Sequence, residues 1–133
     1  MSTIHRIGLI AIIFCVGCWR VGPSGMELDL ARSPNGATLN VLTPTQHVQG
    51  ELLAVRDDGI VILRGSRLTL IPYASIRRAE VRELPDYSLG AGTPTPERRA
   101  GLNSLSRYPQ GIGPELQRRL FAQSGQTELE VLR

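Results

Sequence analysis

Few residues in this sequence combine the type and the spacing that chemistry needs. His47 stands at the start of a predicted strand beside Gln46, and apart from His5 it is the only histidine. A Ser-His-Asp triad would have to use it, yet no glycine-flanked serine sits at a strand-to-helix turn. Asp57-Asp58 offers half of a cation site, but with the Gly59 that follows a hairpin turn explains both residues and is the preferred reading. Asp86, Tyr87 and Ser88 lie among prolines and glycines, where polar residues are expected in any case. The best candidate binding patch is Tyr73 with Arg77 and Arg78, because a guanidinium and an aromatic ring together stack on or chelate an anionic partner. These patterns assign no catalytic residue, no metal ligand set and no cofactor, and the chain is expected not to be an enzyme.

Composition narrows the chemistry further. All 15 basic side chains are arginine. Without lysine there is no amine for Schiff-base or pyridoxal phosphate chemistry, and no P-loop. The formal net charge is only +3 and the arginines are scattered, whereas a duplex-binding domain clusters its positive charge on one face. Nucleic acid is therefore an unlikely partner on charge alone. The two cysteines, Cys15 and Cys18, lie three residues apart near the start, so the rest of the chain can build neither a disulfide framework nor a multi-cysteine zinc site.

The elements that position these residues read as follows. Arg6 precedes an apolar run, Ile7 to Gly17, about half the length of the roughly 20 residues needed to span a bilayer, and Trp19-Arg20 closes it. Residues 1–17 are expected to be a signal peptide; an uncleaved anchor is the alternative. Residues 18–36 contain Pro23, Gly25, Pro34 and Gly36 and read as a tether, with Met26 to Leu30 alternating well enough to add an edge strand. Residues 37–83 carry five predicted strands: Ala37 to Leu42, His47 to Arg56, Ile60 to Arg64, Arg67 to Ile71 and Ile76 to Glu83.

Asp58-Gly59 and Gly65-Ser66 are hairpin connections in which glycine is expected to take positive φ. Alternation points Leu39, Val41, Leu53, Val55, Ile60 and Ile62 or their neighbours, Leu68, Leu70, Ala79 and Val81 into one small core. Pro72 ends the fourth strand, and Tyr73-Ala74-Ser75 suits one short helical turn. Residues 84–96 form a Pro/Gly linker. Residues 97–133 form a helical tail in which Thr95-Pro96-Glu97 and Gly113-Pro114-Glu115 start two helices, Gly125 stops the second, and Thr127 to Leu132 can join a sheet edge. Both helices are too short to stand alone and should pack on the β domain or on a partner.

Val16-Gly17-Cys18 resembles the bacterial lipobox, in which a small residue precedes a cysteine that receives a diacylglyceryl group before the leader is cut. The resemblance covers about 20 residues and departs from the usual pattern at Cys15, where leucine is customary. It implies lipidation of Cys18 and anchoring by acyl chains, each buried methylene adding about 0.8 kcal/mol. Trp19 in place of aspartate favours the periplasmic face of the outer membrane. The layout of residues 37–83 resembles a small SH3-like barrel of the Sm-like kind, with Gly50 in the bent second strand, Asp57 near the next turn and Tyr73-Ala74-Ser75-Ile76 entering the last strand. The RNA-contact signatures of that family are absent: Ala74-Ser75 stands where the bacterial branch carries Lys-His, and Ile71-Pro72 where the other branch carries Arg-Gly.

Taken together, the expected fold is mainly β, a five-stranded SH3-like or Sm-like barrel with a small α tail. The expected function is that of a membrane-anchored envelope lipoprotein, a non-enzymatic binding or scaffolding module for an envelope protein. The alternative is a cytoplasmic Sm-like RNA-binding module, which requires that the leader not be processed.

Overall fold

The computed structural model describes residues 35–107 and 110–133. The lipobox-like cysteine and the alternating segment Met26 to Leu30 lie outside the described residues. Seven strands, a 3-10 turn and two helices follow in the order β1 (Thr38–Leu42), β2 (His47–Val55), β3 (Gly59–Arg64), β4 (Arg67–Pro72), the turn Tyr73–Ser75, β5 (Arg78–Val81), β6 (Ser88–Leu89), α1 (Pro96–Asn103), α2 (Pro114–Ser124) and β7 (Glu130–Val131). The protein is thus mainly β with a small α tail. One mixed sheet has the order β6-β5-β1-β2-β3-β4-β7, antiparallel throughout except where β7 runs parallel to β4.

The five expected strands form close to their expected positions. The fifth starts later, at Arg78, because the Ile76 amide is used to close the 3-10 turn on the Tyr73 carbonyl (3.1 Å). The expected linker also contributes a strand: between the turn that holds Pro85 and the break at Gly90, Ser88 and Leu89 pair with Glu80 and Ala79. Two residues at an edge are all that such a composition permits.

A single alternating core does not form; there are two. The larger cluster gathers Leu39, Val41, Leu52, Ile60, Ile62, Ile71, Tyr73, Ile76 and Val81 with Leu102 and Leu105 from the tail. Leu89 from one end of the sheet and Leu132 from beyond the other belong to it as well, so the sheet wraps around this cluster. The second cluster, on the opposite face, holds Leu53, Ala54, Val61 and Leu68 against Leu120, with Leu70, Leu116 and Phe121 packed alongside. Leu53, Leu68 and Leu70 therefore lie under α2 and not in the main core, while Ile71 takes the inward place. The β2–β3 register shifts between Leu52 and Ala54, a bulge that places the neighbours Leu53 and Ala54 in the same cluster and returns Val55 to the main one.

Both helices pack on the sheet. At 8 and 11 residues they are too short to persist alone. Full burial of one leucine is worth about 1.5–3 kcal/mol, and Leu102 and Leu120 supply that anchorage, one from each helix. Thr95 caps α1 by accepting from the Arg98 amide (3.3 Å), and Gly125 ends α2 in the left-handed conformation at φ 68°.

The two hairpin glycines have different duties. Gly65 sits at φ 61° as expected, but Gly59 is not among the residues with positive φ. It is required by close approach: a Cβ there would lie 2.3 Å from the Ile71 carbonyl oxygen. Gly50 is similar, since its missing Cβ leaves room for the Leu63 carbonyl, which would otherwise be 2.6 Å away.

Thr69 is fully buried in β4, and its hydroxyl has no hydrogen-bond partner among the described residues. An unsatisfied buried hydroxyl costs about 1–3 kcal/mol. Thr69→Val, which keeps the shape and removes the orphaned oxygen, is expected to stabilise the fold by about 1 kcal/mol. Urea unfolding checks this as a higher midpoint at unchanged slope.

Candidate functional site

The expected patch of Tyr73, Arg77 and Arg78 does not assemble. Tyr73 opens the 3-10 turn and is 3% exposed within the main core, where its hydroxyl donates to the Arg56 carbonyl at 2.6 Å. Its ring is packed and is not available for stacking on a ligand. Arg77 and Arg78 are exposed, and Arg78 pairs with Glu80 two residues along the same face of β5. The sequence showed the aromatic near two arginines but not the orientation of the turn, which is set by the apolar demand of the core.

Burial raises the Tyr73 phenol above its ordinary value of 10.0; the Arg99 guanidinium opposes this and the Asp57 and Asp58 carboxylates add to it. A phenol that ionises less readily when folded than when unfolded protects the fold below pH 10 and withdraws that protection above it. Wild type is therefore expected to lose stability as pH rises beyond about 10, and Tyr73→Phe to lose less over the same interval. At neutral pH the same variant should cost about 1 kcal/mol for the lost hydrogen bond. Thermal unfolding of both chains from pH 8 to 11 measures the two effects.

The other candidates have mostly structural duties. His47 is exposed at the start of β2, opposite Leu42, and the Asp57 carboxylate accepts from Arg99 at 2.8 Å. The Asp58 carbonyl accepts from the Tyr73 amide at 3.1 Å, so the Asp57-Asp58 turn ties β2 to the 3-10 turn and to α1. Among the described residues, no group of three or more His, Cys, Asp or Glu side chains is placed to hold a metal ion.

Asp86, Tyr87 and Ser88, passed over in the sequence as linker residues, line a groove of about 380 Å³ between β6 and α1, completed by Leu89, Glu97, Arg98, Gly101 and Leu102. A second hollow of about 330 Å³, floored by residues 89–95, shares Leu89 and Arg98 and continues the groove along the chain. The helical spacing of Arg98, Gly101 and Leu102 at i, i+3 and i+4 was readable from the start signal Thr95-Pro96-Glu97. That this face would meet β6 was not, because β6 itself was not expected.

The groove mixes apolar and charged side chains. Apolar Tyr87, Leu89 and Leu102 stand beside two carboxylates and one guanidinium, and the lining includes no histidine, cysteine or lysine to activate Ser88. Its mixed charge with an acidic excess is unfavourable to a phosphate backbone.

Below the groove the tail is clamped to the sheet. Glu51 on β2 accepts both Nε and Nη2 of Arg107 at 2.8 Å each, and also the Gly36 amide at 2.8 Å. The two side chains are 19% and 17% exposed. Their hydrogen bonding, more than their charge, holds the Arg107 guanidinium above its usual range, against the opposing effect of burial. Backbone bonds from Ala37 to the Leu105 carbonyl and from Arg107 to the Leu52 carbonyl complete the joint.

Compared with known proteins, the chain matches no family model, no curated protein and no solved structure.

Proposed function

We propose that this chain is an envelope lipoprotein, held on the periplasmic face of an outer membrane by acyl chains on Cys18, whose small β body binds or scaffolds another envelope protein. The observation that carries the reading is Val16-Gly17-Cys18, a small residue before a cysteine at the end of an apolar run introduced by Arg6. The groove between β6 and α1 supports the binding half, since an apolar floor with mixed charges at its rim suits a peptide or protein surface. Among the described residues no helix is long and apolar enough to cross a membrane, and two acyl chains would make one unnecessary.

The body itself we read as an SH3-like sheet of the Sm-like kind. Support comes from the consecutive order β5-β1-β2-β3-β4, the 3-10 turn between β4 and β5, the bulge in β2 and the tight passage at Gly50. The fold would not of itself bring RNA binding.

Fractionation tests the functional reading. The native chain should sediment with outer membranes, resist extraction by high salt and dissolve in detergent, and photo-crosslinking from position 88 or 98 should capture a discrete envelope protein. A soluble cytoplasmic chain that co-purifies with RNA in a salt-sensitive manner would overturn it.

A further inference from the structure

We propose that the outer edge of β4 is a pairing surface for a second copy of this chain, kept closed in the monomer by the chain's own C-terminal segment, residues 126–132. This inference rests on nothing in the lipid reading. β4 spans six residues, yet β7 pairs with only two of them, Thr69 with Glu130 and Leu70 with Val131, in parallel register. The remaining cover is makeshift. The backbone of Leu68 is satisfied by a side chain: its amide donates to Gln126 Oε1 at 2.7 Å and its carbonyl accepts from Gln126 Nε2 at 3.1 Å. The Leu132 amide then donates to the Leu70 carbonyl at 2.9 Å.

The segment that supplies this cover is anchored at its two ends, by Gln126 and by Leu132. Leu132 is buried in the main core and Leu129 packs in part against the second cluster, but Val131 between them is 49% exposed. The ion pair of Glu130 with Arg67 Nε, at 2.8 Å, is open to solvent and therefore weak. None of the bonds among β1 to β5 passes through the segment, so its release leaves those ladders intact.

The bared edge is self-complementary. Successive residues in a strand turn their N–H and C=O groups to alternate sides, so Leu68 and Leu70 both face outward. Pro72, the next in that row, has no N–H to offer. Antiparallel pairing about a two-fold axis at Thr69 would set Leu68 against Leu70 of the second copy and satisfy both donors and both acceptors on each chain. The opposite end of the sheet offers no comparable edge, because β6 is two residues long.

Sedimentation velocity on full-length chains in one detergent tests the proposal. Wild type should be monomeric. Leu132→Asp, which expels the anchor from the core, should dimerise with a dissociation constant at least ten-fold lower. A peptide of residues 124–133 added in excess should return it to monomer by refilling the site. Glu130→Arg keeps Leu132 in place but sets like charge against Arg67, and should give a smaller shift in the same direction. A Leu132→Asp chain that keeps its circular dichroism and stays monomeric overturns the proposal, as does a dimer that the peptide does not dissolve. If Leu132→Asp fails to fold, Glu130→Arg decides: fast hydrogen exchange at the Leu68 and Leu70 amides in a chain that remains monomeric also overturns it.

Discussion

Cys18→Ser is expected to abolish fatty-acid labelling and to leave the precursor uncleaved or released, while Cys15→Leu keeps labelling or improves it. The two cysteines differ in what precedes them. Cys18 follows Gly17, a small residue that a peptidase pocket accepts next to the cut, whereas Cys15 follows the bulky Phe14. Replacing Cys15 by leucine restores the residue usual in the lipobox. With each buried methylene worth about 0.8 kcal/mol, loss of the acyl chains removes their entire contribution to anchoring. Mass spectrometry of the mature N-terminus reads the outcome directly. An unmodified Cys18 inside an intact leader would sink the lipoprotein reading.

The largest effect on stability is expected at the joint between sheet and tail. Arg107→Met should cost about 3 kcal/mol, because it leaves the Glu51 carboxylate mostly buried and short of two of its three hydrogen bonds. For a body of this size that corresponds to a melting point lower by roughly 10–20 °C. Glu51→Ala should cost more, since the Gly36 amide loses its acceptor as well as Arg107 its partner. Glu51→Gln should cost less than either, because its carbonyl oxygen can still serve Gly36. Calorimetry of the three variants gives the order. Equal melting points for Arg107→Met and wild type would show that the joint is held by its backbone bonds and by Leu102 and Leu105.

The joint was invisible in the sequence. Glu51 and Arg107 are 56 residues apart, and no sequence pattern links them. The groove was half legible. Its helical wall follows from a strong start signal, but its other wall depends on β6, and two residues between a proline turn and a glycine carry no detectable period. Tyr73 shows the reverse error. An aromatic four and five residues from two arginines reads as a binding patch until its ring is seen to be packed into the core.

Local physics was enough to locate β1 to β5, the 3-10 turn, both helix starts and the Gly125 stop, because proline's fixed φ, capping hydroxyls and glycine's freedom act within a few residues. The all-arginine composition and the cysteine positions likewise needed no fold to exclude amine and disulfide chemistry. Tertiary structure alone decided which face of β2, β3 and β4 looks inward. Leu52-Leu53, Ile60-Val61-Ile62 and Leu68 to Ile71 offer apolar side chains to both sides, so either parity buries similar area, and a one-residue bulge was enough to set it. The same holds for the edges of the sheet. Whether a two-residue segment such as Ser88–Leu89 or Glu130–Val131 becomes a strand depends on an unpaired ladder lying within reach, a property of the assembled sheet that no local pattern contains.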